Sequence, residues 1–206
     1  PWGGNVRNIW SLDCETDPFK HGRVPQPFIW GAYDGSEYRQ FDTVPEVAAF
    51  IRGTDGVFYA HNGGKFDYHF LIDEAEPYDD LLVIHGRIAR WRLGAAEMRD
   101  SMNILPIPLA AYEKEKVDYR IMEKAVRDKP RNRESIERYL KSDCVNLWNL
   151  VTDFVARYGM SITQASASMK LWKKMSGLAV PDSTAGFFDR YKRSEERRVG
   201  KECRYR

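Results

Sequence analysis

Three short stretches of this 206-residue sequence carry side chains suited to holding metal ions. Asp13-Cys14-Glu15 ends an apolar run, His61-Asn62-Gly63-Gly64-Lys65-Phe66-Asp67 follows a second one, and Tyr139-Leu140-Lys141-Ser142-Asp143 sits inside a long helical pattern. Together they offer four carboxylates from three separate elements, and carboxylate oxygens are the natural ligands of Mg2+ or Mn2+. Two such ions about 3.5–4 Å apart can hydrolyse a phosphodiester, one activating a water and the other stabilising the leaving oxygen. The residue types suggest an assignment. Asp13 would bridge both ions, Glu15 and Asp143 would complete the first, and Asp67 would approach the second through water, while Tyr139 would orient the attacking water together with Glu15.

Each stretch alone has a plainer reading. At average composition an Asp-x-Glu arises by chance about once in a chain of this size, and then marks a strand end meeting solvent. Tyr-x-x-x-Asp occurs twice, at Tyr38 to Asp42 as well as at Tyr139 to Asp143, and only the helical setting separates the two. The plain reading of the second pair is a partly buried Tyr beside an exposed Asp. The middle stretch is more specific, because a structural strand-to-helix turn needs Gly and apolar residues but no clustered His, Asn and Asp. His21, His69 and His85 have no ligand-like spacing.

The elements that must position these residues follow from periodicity and turn chemistry. Val6 to Cys14 reads as a first strand, on which residues two apart share a face, so Asp13 and Glu15 project together, and both are expected to face solvent. Phe28 to Tyr33 and Glu37 to Phe41 read as a hairpin about Asp34-Gly35. Thr43 to Ile51 reads as a short helix with Thr43 as N-cap, followed by a buried strand over Val57 to Ala60 that breaks at Gly63-Gly64. A second hairpin brackets His85-Gly86, with Arg87, Arg90 and Arg92 along it. Beyond Pro106 and Pro108 the segment from Glu113 to Arg133 reads as irregular and charged. From about Asn132 to Tyr158 the stripe Ile136, Leu140, Cys144, Leu147, Val151, Phe154, Val155, Tyr158 predicts a long helix capped by Gly159. Tyr139 and Asp143, four apart, stack on one face of it. Alternating helices and strands favour an α/β mixed sheet flanked by helices.

Composition sets the outer bounds. The length suits one domain with a proper core and a short piece of a second, and a boundary is expected near residue 160. The sequence contains no run of the roughly 20 apolar residues a membrane helix requires, so no membrane is expected, and the N-terminus has no signal pattern. Three cysteines without paired spacing, Cys14, Cys144 and Cys203, point to a reducing compartment, the cytoplasm. The net charge of +2 is no argument for a nucleic-acid partner, because residues 193–206 hold six Lys/Arg against three Asp/Glu and leave the rest near −1. That tail has no apolar periodicity and resembles the in-frame translation of a sequencing adapter, so residues 193–206 are set aside as an assembly artefact. The start at Pro1 is read as a fragment edge or processed end, and the natural protein is expected to continue past Lys192.

In order along the chain, Asp13-x-Glu15, Asn62-x4-Asp67 and Tyr139-x3-Asp143 resemble the Exo I, Exo II and Exo III motifs of the DnaQ-like 3′–5′ proofreading exonucleases. More narrowly, the set is similar to that of the protein-primed family B DNA polymerases of viruses and linear plasmids. The narrower match rests on Asp13-Cys14-Glu15-Thr16, Tyr59-x-His61-Asn62 with Lys65-Phe66-Asp67, Asp100-Ser101-Met102 before Leu105-Pro106, and Lys114-x-x-Val117-Asp118-Tyr119. It covers residues 6 to about 175. The resemblance implies an RNase H-like α/β fold, with residues 1–160 an exonuclease domain and 161–192 the lead-in to a truncated polymerase palm. It implies metal ligation by Asp13, Glu15, Asp67 and Asp143, water orientation by Tyr139, and a contact of Lys114 with the scissile phosphate. It further implies that Thr16, Tyr59, His61, Asn62, Phe66, Phe70, Ser101 and Met102 bind a frayed 3′ single strand, where aromatic faces stack bases and Asn or hydroxyl groups hold sugar and phosphate. The expected partners are a single-stranded DNA 3′ end, primer-template DNA and a terminal priming protein, with the protein itself a monomer.

Two departures from the family pattern stand out. The Gly63-Gly64 pair is one residue longer than in some relatives, and the sequence has no Tyr-x-Asp-Thr-Asp stretch, so no polymerisation is expected of this chain. Two alternatives stay open at this stage: a free-standing exonuclease of the same superfamily acting on DNA or RNA, and a non-catalytic module that binds a DNA strand or a priming protein.

Overall fold

The computed structural model describes residues 7–108 and 117–177. Its sheet is laid out around β1 (Asn8–Thr16), whose pleat sends Trp10, Leu12 and Cys14 to one face and Ile9, Ser11, Asp13 and Glu15 to the other. β2 (Pro27–Tyr33) pairs antiparallel with β1, and β3 (Tyr38–Phe41) antiparallel with β2. At the turn between them the Asp34 carboxylate accepts from the amides of Ser36 and Glu37, at 2.9 and 2.8 Å. The chain then crosses over through α1 (Val44–Gly53), where Thr43 and Glu46 form the reciprocal capping box, and returns as β4 (Gly56–Ala60), parallel to β1. β5 (Leu81–Ile84) and β6 (Arg87–Leu93) form the second hairpin, and β7 (Ala96–Asp100) lies between β6 and β4, parallel to β4. The order is β3-β2-β1-β4-β7-β6-β5, a mixed sheet with three parallel strands at its centre.

Helices cover both faces of this sheet. On one, Val47, Ala48 and Ile51 of α1 pack against Trp10, Leu12, Trp30 and Phe58. On the other lies α2 (Pro130–Tyr158), with Ile136, Leu140 and Cys144 against Phe28 and Ile29, and Leu147 and Val151 against Ile9, Val57 and Tyr59. The described residues divide into two compact units between Ser168 and Met169, and α3 (Gln164–Ser176) runs through that division. Among the described residues no helix is long and apolar enough to cross a membrane.

Several sequence expectations are corrected in detail. α2 begins at Pro130, a first-turn position that tolerates a missing amide, rather than near Asn132. Its stripe buries residues only as far as Val151, since Tyr158 is 41% exposed. The segment after Gly63-Gly64 is 3-10 helical, over Gly63–Lys65 and Asp67–Glu74. Part of the segment read as irregular forms a 3-10 turn, Tyr119–Met122. The central strand β7 was not foreseen.

Candidate active site at the end of β1

The edge of the site is fixed by direct bonds between β1 and α2. Ser11 Oγ, buried, donates to the Cys144 carbonyl at 2.7 Å, and Trp148 Nε1 donates to the Ile9 carbonyl at 2.9 Å. Gly31 of β2 lies where a Cβ would come 2.9 Å from the Tyr38 hydroxyl and 3.0 Å from Cys144 Sγ and Leu140 Cγ, so any larger residue would crowd this approach of helix to sheet. These contacts bring Asp13, Glu15 and Asp143 together, with one carboxylate oxygen from each lying within 4.8 Å of the others. Asp143 and Glu15 are buried, at 4% and 8% exposure, and Asp13 is half-buried. The expectation that Asp13 and Glu15 both face solvent is therefore corrected for Glu15, and the plain reading of an exposed Asp143 does not hold. Ionised carboxylates at this spacing repel one another, a repulsion that a divalent cation or a shared proton would relieve.

Asp67 opens its 3-10 segment at 3% exposure and accepts a hydrogen bond from Cys14 Sγ at 3.2 Å. Burial pushes its pKa up to about 6, with the Cys14 bond opposing in part. Burial likewise pushes the Cys14 thiol up, reinforced by Asp67 and Asp13, so the sulfur stays protonated as a donor. Asp67 is not one of the close trio, but it lines the same cleft of about 180 Å³ as Asp13, Glu15, Asp143, His61 and Asn62. Tyr139, on α2 one turn before Asp143, lines it too. Its hydroxyl lies 3.2 Å from that of Tyr119 with the rings edge to face, and burial first, then the Tyr119 bond and Asp143, push its phenol up and keep it neutral.

The turn that delivers Asp67 is held by a residue to which sequence reasoning gave no role of its own. Asp100, at the end of β7 and 1% exposed, accepts from the amides of Asn62, Gly64 and Met102 at 3.1, 3.1 and 2.9 Å. Arg87 pairs with the same carboxylate and donates to Asn62 Oδ1 at 2.8 Å. A Cβ on Gly64 would lie 2.0 Å from the Ile88 carbonyl, and one on Gly63 2.5 Å from Ala60 Cβ, so the pair is demanded by crowding. Asn62 itself takes a left-handed conformation, φ 65. Because a guanidinium has donors only, the atom of Asn62 facing Arg87 is its oxygen, and the amide NH2 is what remains for a ligand.

The expected strand-binding residues divide into two groups. His61, Asn62 and Phe66 line the cleft, Thr16 lines the adjoining recess, and Met102 is half-buried beyond Asp100. Tyr59 is corrected. At 1% exposure it packs with Ile9, Val57 and Leu147, its hydroxyl accepts from Arg99 at 3.2 Å, and it has no ring face to offer a base. Ser101 is fully buried; its hydroxyl lies 2.9 Å from His61 Nδ1 and donates to the Ala60 carbonyl at 3.3 Å, so it orients His61 rather than meeting a strand. Phe70 is half-buried, edge to face with Trp30 at 6.4 Å and with Phe66 at 5.0 Å, and so backs Phe66. Lys114 lies outside the described residues. Of the basic strand, Arg87 is held by Asp100 and Arg90 by Asp80, whereas Arg92 is exposed.

No protein-family model matches the chain. Over 172 residues, 81% of its length, it is 41% identical to the DNA-directed DNA polymerase of Enterobacteria phage PRD1. The chain belongs to the protein-primed family B DNA polymerases. It spans about 30% of the length of that PRD1 relative. Phi29 DNA polymerase in complex with primer-template DNA and incoming nucleotide substrates superimposes with a TM-score of 0.69 at 18% identity, over 89% of this chain and 38% of the other. Phi29 DNA polymerase complexed with single-stranded DNA gives 0.65 at 19%, over 82% and 35%. At such identities the likeness is one of fold, and the expected RNase H-like mixed sheet flanked by helices is borne out.

Proposed function

We propose that this chain is the part of a DNA-directed DNA polymerase that removes mismatched 3′ ends, a two-metal 3′–5′ exonuclease acting on single-stranded DNA in viral or plasmid replication inside the host cell. One observation carries the reading: Asp13, Glu15 and Asp143 meet within 4.8 Å in a cleft that Asp67 also lines. The donor set is made of hard carboxylate oxygens, and the nearby Cys14 thiol is held protonated, so it fits Mg2+ or Mn2+ rather than a thiolate-seeking ion. Asp13, Glu15 and Asp143 would hold one ion, and Asp13 with Asp67 a second. Such ions, when bound, supply an activated water and stabilise the leaving oxygen.

The remaining roles belong to the chain itself. Tyr139, kept neutral by burial, is suited to orient the attacking water with Glu15. Asn62, its oxygen occupied by Arg87, offers amide hydrogens to a sugar or phosphate oxygen, and His61 is set by Ser101. Phe66 offers a ring face in the cleft, and Thr16 and Met102 flank it. Lys114 would contact the scissile phosphate. The partners proposed are a single-stranded 3′ end delivered from primer-template DNA and a terminal priming protein, with the chain acting as a monomer. The test is release of 5′-mononucleotides from a single-stranded oligonucleotide in Mn2+. Asp13→Ala with Glu15→Ala should abolish it, and undiminished release by the double variant would remove the catalytic assignment.

A further inference from the structure

After Thr16 the chain leaves β1 through a loop, residues 17–26, that is tied at several points. The Asp17 amide donates to the Gln26 carbonyl at 3.1 Å, and the Gln26 amide donates back to the Asp17 carboxylate at 2.6 Å. Arg23 pairs with that same buried carboxylate, and its amide donates to the Lys20 carbonyl at 3.2 Å across an isolated bridge. Lys20 in turn reaches Glu123 at 3.9 Å. The residue this strapped loop holds out is Phe19, 74% exposed, with its ring 5.6 Å from that of Phe66 at an interplanar angle of 35°. Together with Pro18, Phe66, Tyr119 and Met122 it walls a largely apolar recess of about 350 Å³. Cys14, Glu15, Phe66 and Tyr119 line both this recess and the carboxylate cleft, so the two spaces adjoin.

We propose that Phe19 is a binding residue on which the unpaired 3′-terminal nucleobase of a single DNA strand stacks inside this recess. The proposal rests on the exonuclease reading above. The shared wall selects the occupant, because a phosphodiester held beside Glu15 lies next to an apolar space in which rings can cover the face of its base. Every base has such faces, so the recess is indifferent to sequence. A base must leave its partner and its stack to enter, so a paired end is refused by the same contact that welcomes a frayed one.

The experiment uses the whole 206-residue chain with Mn2+ and two single-stranded oligonucleotides, identical except that one ends in a 3′-terminal abasic tetrahydrofuran nucleotide. The wild type should show a KM about tenfold lower for the intact end, as expected for one stacked base. Phe19→Ala should lose that preference, with KM for the intact oligonucleotide raised about tenfold, and Phe19→Trp should keep it. A Phe19→Ala chain that melts like the wild type and still prefers the intact end overturns the assignment. Should the Ala variant melt early, Phe19→Leu, which keeps apolar bulk without the ring, is held to the same two outcomes. A wild type that cleaves neither oligonucleotide overturns the exonuclease reading itself, and this inference with it.

Discussion

A carboxylate enclosed as fully as Asp67 resists ionisation, and burial raises it from an ordinary 3.8 to about 6. Between those values the folded protein binds the proton more tightly than the unfolded chain does. The contribution of this group to stability is therefore fully present below about pH 4 and is lost as pH rises through about 6. Asp67→Asn keeps the shape and removes the charge. In urea titrations without metal, the variant should gain on the wild type as pH is raised from 4.5 to 7. A difference that stays flat across that range would mean that the carboxylate is ionised in the fold from the start. The residue types at this site were legible in the sequence, because acids at these spacings after apolar runs are uncommon as a set. Asp100 and Arg87 were not. The partners of Asp100 include amides 36 and 38 residues away, which no local pattern records. Tyr59 was misread although its register was available, since it shares the inward-facing parity of Val57 on β4.

The site is also a joint between two elements, and its spacing depends on how firmly α2 is fastened to β1. Ser11 stands two residues before Asp13, and its acceptor carbonyl belongs to the residue after Asp143. Ser11→Ala removes a buried hydrogen bond at a cost of about 1 kcal/mol, and lets the helix carboxylate drift from the strand carboxylates. Under the proposed exonuclease function, turnover should then fall with little change in KM for a single-stranded oligonucleotide. Unchanged kcat would assign the spacing to the Trp148 bond with Ile9 instead. The strands and helices with clean apolar patterns and marked turns were readable, among them the capped α1, the two hairpins and the body of α2. β7 escaped notice because its letters, Ala-Glu-Met-Arg-Asp, look exposed. Its charges are buried in pairs, with Arg99 donating to Glu97 at 2.8 Å and to the Tyr59 hydroxyl. A strand that neutralises its own charges inside the fold has no alternation to read.

Taken whole, the molecule brings residues as distant as Asp13, Asp67 and Asp143 to one cleft, and the mutual repulsion of those acids works against the fold that gathers them. A cation bound there stabilises the entire chain, because the unfolded polypeptide has no such cluster. Linkage sets the size of the effect. Ions at a hundredfold excess over their Kd add about 2.7 kcal/mol, which for about 200 residues raises Tm by about 5–10 °C. Mn2+ at pH 7.5 should produce a rise of this order, EDTA should abolish it, and Asp13→Ala with Glu15→Ala should show none. The increment should shrink at pH 5, where the Asp67 proton competes with the metal. Overall charge foretold none of this, since residues 193–206 hold a surplus of +3 against −1 in the rest, and the attraction for cations comes from a local cluster. If Mn2+ left the melting temperature unmoved at pH 7.5, the cleft would take no ions, and the fold would be left as a module that grips a DNA strand without cutting it.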